Sequence, residues 1–310
     1  MEKTLGEKWE TCHWMYDPNF KHLFYEKARK IIDEKGEQLT YADFSTIDII
    51  HPGLHDGIRE FFEEFPFPQG SKALEIGSGL GCTARYMHAN YGVEVHGVEY
   101  LEHFVECCTF LNQVLGFQDN IHIQHADVVT WEAPENTFDL AVSCVCFMFI
   151  PDPAGLRNVA KALKPGGLFF FEDYFYVKPR DQWDANDHHN IEARGMCGVR
   201  FQEELCQIME DAGMEVAKVI ECGRYWSENS WQRGQDLYNQ GFSEDTGIGS
   251  PIHQYAIVSP QLKCDLDHLT VDEIKRRYPN VSKNFDVEDL VFRKPRLTTG
   301  RRIIFRKRSS

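Results

Sequence analysis

The stretch Ala-Leu-Glu-Ile-Gly-Ser-Gly-Leu-Gly at residues 73–81 is the most informative segment of this 310-residue chain. Its apolar run ends in three alternate glycines, Gly77, Gly79 and Gly81. Glycine accepts positive φ angles and lets another group approach the backbone closely. A strand that ends in such a loop and feeds a helix forms a nucleotide-sized crevice. Glu99 follows eighteen residues later, where a carboxylate can accept hydrogen bonds from ribose hydroxyls. The stretch therefore predicts a site for an adenosine-type cofactor.

The spacing of the glycines separates two classes of cofactor. A dinucleotide site has the pattern G-x-G-x-x-G, whose third glycine would stand at Cys82. Here the third glycine comes one residue earlier, and Glu75 stands inside the predicted strand. A nicotinamide site and a ligand-free turn stay open as alternatives at this point.

Composition and charge limit the class of protein. The net charge of −15 argues against a general nucleic-acid binder, which needs a basic surface for phosphates. The exception is the segment 293–308, which holds eight basic residues. We interpret it as a solvated edge strand with charged residues along it, with a nucleic-acid or anionic-lipid patch as the alternative.

Cysteine usage and the N-terminus bear on location. The ten cysteines include no C-x-x-C pair, which favours a reducing compartment over a disulfide framework. The charged N-terminus lacks the apolar core of a signal peptide, and no apolar run has the length of a membrane span. We therefore expect a cytoplasmic protein without a membrane span. No metal site is expected, since neighbouring histidines such as His188 and His189 diverge.

Strands alternate with helices through the middle of the chain. Strands are predicted at about 73–77, 93–99, 121–125, 138–145, 168–172, 216–220 and 301–306. This βαβ rhythm predicts a doubly wound, mostly parallel seven-stranded sheet with helices on both faces. We divide the chain into an N-terminal helical lid (1–69), a Rossmann-like core (70–222), a cap insertion (223–298) and a terminal strand (299–310).

Four motifs in order resemble those of S-adenosylmethionine (SAM)-dependent methyltransferases. The glycine loop matches their motif I, and Glu99 matches the ribose-binding acid. Asp127 matches the acid that takes the adenine amino group, and Lys-Pro-Gly-Gly at 164–167 matches the turn before strand five. The resemblance covers 70–222 well. It implies SAM as cofactor and S-adenosylhomocysteine as product.

The resemblance also implies which residues bind the cofactor. They are Glu75, Gly77, Ser78, Gly79, Gly81, Glu99, Tyr100, Asp127, Val128 and Ser143. Val128 and Tyr100 would flank the adenine ring, with simple core packing as the alternative for both.

The substrate side resembles a small-metabolite branch of these enzymes. That branch includes phosphoethanolamine, glycine and sarcosine methyltransferases and algal S-methyltransferases of the dimethylsulfoniopropionate route. Asp173-Tyr174 matches a strand-five Asp-Tyr of the phosphoethanolamine enzymes, whose Tyr contacts substrate, so both are expected catalytic residues. Their Asp–His dyad after strand four falls at Val145 and Phe149. Phosphoethanolamine is therefore disfavoured. An acceptor that needs no deprotonation, such as a thioether or tertiary amine, fits better.

The predicted cap adds aromatic and basic side chains. With Tyr174, we expect Trp226, Trp231 and Arg233 to bind substrate, because aromatic rings hold cations and Arg holds carboxylates. The alternative is that the tryptophans anchor the cap on the core. His51 and His55 are candidate bases, and an exposed position is the alternative for both.

We therefore expect a SAM-dependent methyltransferase that acts on a small polar substrate with a sulfur or nitrogen acceptor and has no nucleic-acid partner. The oligomeric state stays open. The alternatives are a SAM-binding protein without catalysis, a nicotinamide-dependent oxidoreductase and, through Cys82, Cys144 and Cys146, an arsenic methyltransferase.

Overall fold

The structure is a computed structural model. It describes residues 19–48, 51, 53, 55–185, 187–188, 191, 195–223, 225–226, 229, 232, 265, 268–278 and 297–309. The helices are α1 (Phe20–Lys35), α2 (Ser45–Asp48), α3 (Asp56–Glu64), α4 (Cys82–Tyr91), α5 (Glu102–Val114), α6 (Ala154–Ala162), α7 (Gln202–Asp211) and α8 (Val271–Arg277). The strands are β1 (Lys72–Ile76), β2 (Glu94–Glu99), β3 (Ile121–His125), β4 (Phe138–Cys144), β5 (Leu163–Tyr176), β6 (Met214–Glu221) and β7 (Thr298–Lys307).

The seven strands form one sheet in the order β3-β2-β1-β4-β5-β7-β6. The strands β1 to β5 pair in parallel, and β7 runs antiparallel to both β5 and β6. This confirms the predicted doubly wound, mostly parallel sheet. The strand order reverses between β1 and β4, so a crevice is expected beyond their carboxyl ends.

Helices cover both faces of the sheet. On one face, α3 presents Ile58, Phe61 and Phe62 to a cluster that includes Phe170 and Ile304. On the other face, Leu156 and its neighbours on α6 pack against Phe169 and Phe305. Spacing of three and four residues places the apolar side chains of α3 on one side of the helix. Among the described helices, none is both long and apolar enough to cross a bilayer.

The basic C-terminal segment is not an edge strand, so that prediction is wrong. β7 lies between β5 and β6, and its residues Ile303, Ile304 and Phe305 are buried. Three consecutive apolar residues gain more from a position between two strands than from an edge. The basic residues divide accordingly, with Arg306 exposed and Arg302 buried in ion pairs.

The N-terminal helices pack against α4 and α5, beside the predicted cofactor site. Phe20 on α1 contacts Phe104 on α5, with ring centroids 5.1 Å apart. Asp48 and Arg85 form an almost fully buried ion pair at 2.9 Å, which ties α2 to α4. Because a buried charge needs its partner, this contact fixes the N-terminal segment beside the glycine loop.

Candidate active site

The glycine loop adopts the backbone conformation that only glycine takes readily. Gly77, Gly79 and Gly81 have φ angles of +70°, +54° and +81°. A Cβ atom at Gly77 would lie 2.4 Å from Cys146 Sγ, and one at Gly81 would lie 2.2 Å from the Cys108 Sγ. Gly77 and Gly81 therefore satisfy both a backbone and a packing requirement.

Glu99 is hydrogen-bonded directly to this loop. Its Oε2 accepts the Gly79 N–H at 2.8 Å, and its Oε1 accepts the Leu101 N–H at 2.9 Å. The side chain is buried, and burial raises the pKa of Glu99 against the effect of these N–H donors. A carboxylate with two oxygens held by the main chain keeps further lone pairs for ribose hydroxyls. The structure thus brings the glycine loop and the predicted ribose-binding carboxylate into direct contact.

Other predicted cofactor residues form a buried polar group beside the loop. Ser78 is buried, and a Cβ atom at Gly97 on β2 would lie 2.2 Å from its Oγ. Ser143, near the end of β4, is also buried. Burial raises the pKa of Glu75 to about 8, with Ser78 and the Arg85 charge opposing the rise. Glu75 Oε2 has no hydrogen-bond partner within the described residues. Such an orphaned acceptor calls for a ligand donor or water.

The turn after β3 carries Asp127 and Val128. Asp127 Oδ1 accepts the Val129 N–H at 2.9 Å. Val128 is buried in the core cluster that also contains α6, so its side chain packs in the core, the alternative considered above. Asn158 on α6, which the sequence did not single out, donates to the Val128 carbonyl at 2.8 Å. Tyr100, which follows Glu99 in the chain, is 39% exposed.

The segment after β4 is apolar and tightly held. Val145 has a φ of +53°, which is strained for a β-branched residue. Asp173 on β5 is buried, and its Oδ2 accepts the Met148 N–H at 3.0 Å while Oδ1 accepts the Tyr174 N–H at 2.8 Å. Burial raises the pKa of Asp173 to about 7. Phe149 is half-buried at the end of this segment.

Arg200 fixes the same segment from its other side, and sequence reasoning missed it. Its guanidinium donates to the carbonyls of Ile150 and Pro151 at 2.9 Å and 2.8 Å. Gly198 N–H donates to the Met148 carbonyl at 2.7 Å. Hydrogen bonds to its main chain therefore hold the apolar segment after β4 from two sides, from β5 on one side and from residues 198–200 on the other.

Only some of the residues predicted to bind substrate lie in the part of the chain that the structure describes. The Tyr174 ring meets the buried Trp226 ring edge-on, with centroids 4.9 Å apart and planes at 71°. Trp231 and Arg233 lie outside the described residues, as does most of the predicted cap. His51 is buried rather than exposed, and its Nε2 lies 3.3 Å from Thr83 Oγ1 on α4.

Comparison with known proteins decides the family. The profile of the family described as "Methyltransferase domain" matches residues 50–219, which is more than half of the chain. The chain belongs to this methyltransferase domain family. The matched range contains the glycine loop, Glu99, Asp127 and the Asp173–Tyr174 pair.

Relatives of this methyltransferase domain include phosphoethanolamine N-methyltransferases. It is 29% identical over 175 residues to phosphoethanolamine N-methyltransferase 3 from Arabidopsis thaliana, covering 52% of this chain and 34% of that protein. The chain thus spans about a third of the length of that curated relative.

Solved structures share the fold at low identity. Phosphoethanolamine N-methyltransferase 2 from Haemonchus contortus, in complex with phosphomonomethylethanolamine and S-adenosylhomocysteine, has a TM-score of 0.63 at 17% identity. The match covers 90% of this chain and 59% of that one. A candidate sarcosine dimethylglycine methyltransferase from Galdieria sulphuraria has a TM-score of 0.59 at 16% identity, covering 81% and 84% of the two chains.

The residues of this methyltransferase domain fit a SAM molecule. The glycine loop turns sharply through three positive φ angles, and Glu99 is hydrogen-bonded to it with lone pairs left for ribose hydroxyls. The orphaned Oε2 of Glu75 can accept a hydrogen bond from a cationic amine, which would also favour its ionised form.

Proposed function

We propose that this chain transfers the methyl group of SAM to a small polar metabolite, through a sulfur or nitrogen that needs no deprotonation. SAM supplies a methyl group on a positively charged sulfur. Such a transfer needs chiefly an acceptor lone pair held in line with the methyl carbon. The residues therefore have to bind, orient and exclude water rather than perform covalent chemistry.

Each half of the site has a proposed role. Glu99 holds the ribose hydroxyls, the glycine loop lies along the cofactor, and Asp127 accepts from the adenine amino group. Glu75, Ser78 and Ser143 supply polar contacts beside the loop. Tyr100 covers one face of the adenine.

The acceptor side is proposed to lie along β5 and the segment after β4. Tyr174 and Trp226 line it, and Trp231 and Arg233 complete it from the cap. Asp173 has both oxygens engaged by backbone N–H groups, so we assign it a positioning role. It fixes the turn that carries Met148 relative to Tyr174.

The observation that carries the proposal is the hydrogen bond from the Gly79 N–H to the Glu99 carboxylate. It joins the ribose-binding acid to a loop whose early third glycine suits SAM. The apolar Val145 and Phe149, at the positions of the relatives' dyad, support an acceptor with a free lone pair.

We also propose a cytoplasmic location and no nucleic-acid partner. The eight cysteines that the structure describes are all free thiols, which suits a reducing compartment. The net charge of −15 opposes phosphate binding.

The test measures S-adenosylhomocysteine release by the purified chain with four acceptors. They are phosphoethanolamine, sarcosine, dimethylglycine and 3-(methylthio)propanoate. We expect turnover with the tertiary amine or the thioether and none with phosphoethanolamine. Tight SAM binding without turnover would favour a binding protein, and preferential binding of NAD would favour an oxidoreductase.

A further inference from the structure

Glu172 is a buried carboxylate that the proposed mechanism has not used. Its Oε2 accepts the Arg302 Nε–H at 2.7 Å, and its Oε1 accepts the Trp226 Nε1–H at 3.1 Å. Arg302 also donates to Glu60 at 2.7 Å. Burial raises the pKa of Glu172, and the Arg302 charge opposes that rise. The carboxylate thus links the core of the sheet to the indole of Trp226.

Glu172 and Tyr174 point to the same face of β5, because side chains alternate along a strand. Trp226 reaches both of them. Its N–H donates to Glu172, and its ring meets the Tyr174 ring edge-on. One indole therefore connects a buried charge to the aromatic residue proposed to contact substrate.

Two glycines from distant parts of the chain make the space for this contact. A Cβ atom at Gly300 would lie 2.3 Å from Trp226 Cε3. A Cβ atom at Gly53 would lie 2.1 Å from Glu172 Oε1 and 3.2 Å from Trp226 Nε1. A side chain at Gly300 would therefore collide with the indole, and one at Gly53 would collide with the carboxylate that accepts the indole N–H.

Three contacts of different kinds fix the orientation of this ring. The N–H is held by Glu172, the six-membered ring lies on Gly300, and the ring plane meets Tyr174 at 71°. We propose that Glu172 is a positioning residue for the acceptor pocket, which holds Trp226 against Tyr174 as a rigid aromatic wall for the positive charge that the acceptor gains on methylation. This inference rests on the proposed function, because it assigns the substrate class to the same site.

The charge balance of methyl transfer explains why such a wall is useful. The lone pair of a thioether, or of a tertiary amine in its unprotonated form, forms the new bond to carbon, and the old sulfur–carbon bond breaks with its electron pair left on the cofactor sulfur. The positive charge thus passes to the acceptor, which becomes a sulfonium or quaternary ammonium ion. Aromatic faces attract such ions, and more strongly where water is excluded. A fixed wall gains this attraction without reorganising during the reaction.

Two variants and two matched controls test the wall by kinetics. Trp226→Phe removes the N–H and keeps an aromatic ring, and Glu172→Gln removes the charge and keeps the shape. Trp131→Phe removes another indole N–H, which donates to Gln124 at 3.2 Å. Glu221→Gln alters the exposed partner of Arg301, which donates to it at 3.0 Å. The assay uses the fastest acceptor among dimethylglycine and 3-(methylthio)propanoate.

We expect the Trp226 and Glu172 variants to lower kcat/KM for the acceptor about 10-fold, the size of one lost charge-assisted hydrogen bond. The loss should fall mainly on kcat, because the acceptor gains its positive charge only as the methyl group is transferred. The dissociation constant of S-adenosylhomocysteine should stay within about 2-fold, since neither variant alters Glu99 or the glycine loop. Because the two residues act as one unit, the double variant should be no worse than the worse single one. The two controls should leave kcat/KM unchanged. Equal losses in kcat/KM and in S-adenosylhomocysteine affinity, or no change in either, would overturn the proposal.

A second readout separates failure of the wall from failure of the proposed function. The indole ¹⁵N–¹H resonance of Trp226, assigned by its loss in Trp226→Phe, is followed while tetramethylammonium is added. We expect it to move, with a higher midpoint in Glu172→Gln. Movement without any methyl transfer would retain the wall and refute the methyltransferase activity. Methyl transfer with an unmoved resonance and an unchanged kcat/KM in the variants would refute the wall alone.

Discussion

The cofactor half and the acceptor half of the site hold their buried carboxylates in opposite ways. Glu99 receives main-chain N–H groups from Gly79 and Leu101. Glu172 receives side-chain donors from Arg302 and Trp226. Main-chain donors depend on backbone shape and tolerate many neighbouring side chains. Side-chain donors depend on particular residues, so a single substitution at Arg302 or Trp226 removes a contact of Glu172, whereas the contacts of Glu99 survive most substitutions at Leu101.

The largest effect is expected from Glu99→Gln. The amide group would present an N–H to Gly79 or Leu101, where two donors would face each other, and the ribose contact would lose its charge. S-adenosylhomocysteine affinity should fall about 100-fold by calorimetry, as several hydrogen bonds to a charged group weaken together. Glu94→Gln, at the start of the same strand, should leave the affinity unchanged. Binding by the Glu99 variant within about 3-fold of wild type would refute the role of this carboxylate in the cofactor half.

Gly81→Ala should destabilise the protein through both strain and collision. Its φ of +81° costs an alanine about 1–2 kcal/mol, and the new Cβ would collide with the Cys108 sulfur. Gly213 has a φ of +82° with no atom within 4 Å of a Cβ, so Gly213→Ala isolates the strain. Chemical denaturation should show the Gly81 variant losing the larger free energy of unfolding. Equal losses would mean that close packing does not shape the loop.

Glu75→Gln should stabilise the protein in a pH-dependent way. An unfolded glutamate ionises near pH 4.5, whereas burial holds the pKa of Glu75 at about 8. The unfolded chain therefore releases this proton first, and wild-type stability falls as pH rises through that window. The variant avoids the fall, so its Tm advantage should grow from pH 5 to pH 8 while SAM affinity weakens. The exposed Glu215→Gln is the control. A constant difference in Tm would show that Glu75 ionises normally.

The smallest change in stability is expected from Val145→Asn in the acceptor half. Asparagine tolerates positive φ, so about 1–2 kcal/mol of strain is released. Loss of a half-buried valine offsets about 1 kcal/mol of that gain. The reverse change at Asn136, whose φ is +50°, has no such offset and should destabilise. For Val145→Asn, kcat/KM for the acceptor should fall while the Tm stays nearly constant. Unchanged kcat/KM would remove Val145 from the acceptor pocket.

The cofactor half could be predicted from sequence because its residues are close in the chain. The glycine loop and Glu99 lie within 27 residues, and their spacing follows from one strand–helix–strand unit. The family match and the strand order confirm the methyltransferase and the doubly wound sheet that were predicted from this unit. By contrast, Arg302 and Glu172 lie 130 residues apart and pair only because β7 inserts beside β5.

Two features of the acceptor half could not be predicted from the sequence pattern. The basic residues around Ile303–Phe305 suggested an edge strand, since charge and not pairing is visible in sequence. The catalytic role of Asp173 stays a prediction, but the contact of its Oδ2 with the Met148 N–H could not be read from the sequence. Side chains alternate along β5, so Asp173 and Tyr174 point to opposite faces of the strand.

The most direct test of the central claim identifies the methylated product. The purified chain is incubated with methyl-labelled SAM and equal amounts of phosphoethanolamine, dimethylglycine and 3-(methylthio)propanoate, and labelled products are detected by mass spectrometry. The proposed function predicts a permanently charged product, a sulfonium or a quaternary ammonium ion. Labelled phosphomonomethylethanolamine as the main product would contradict the account.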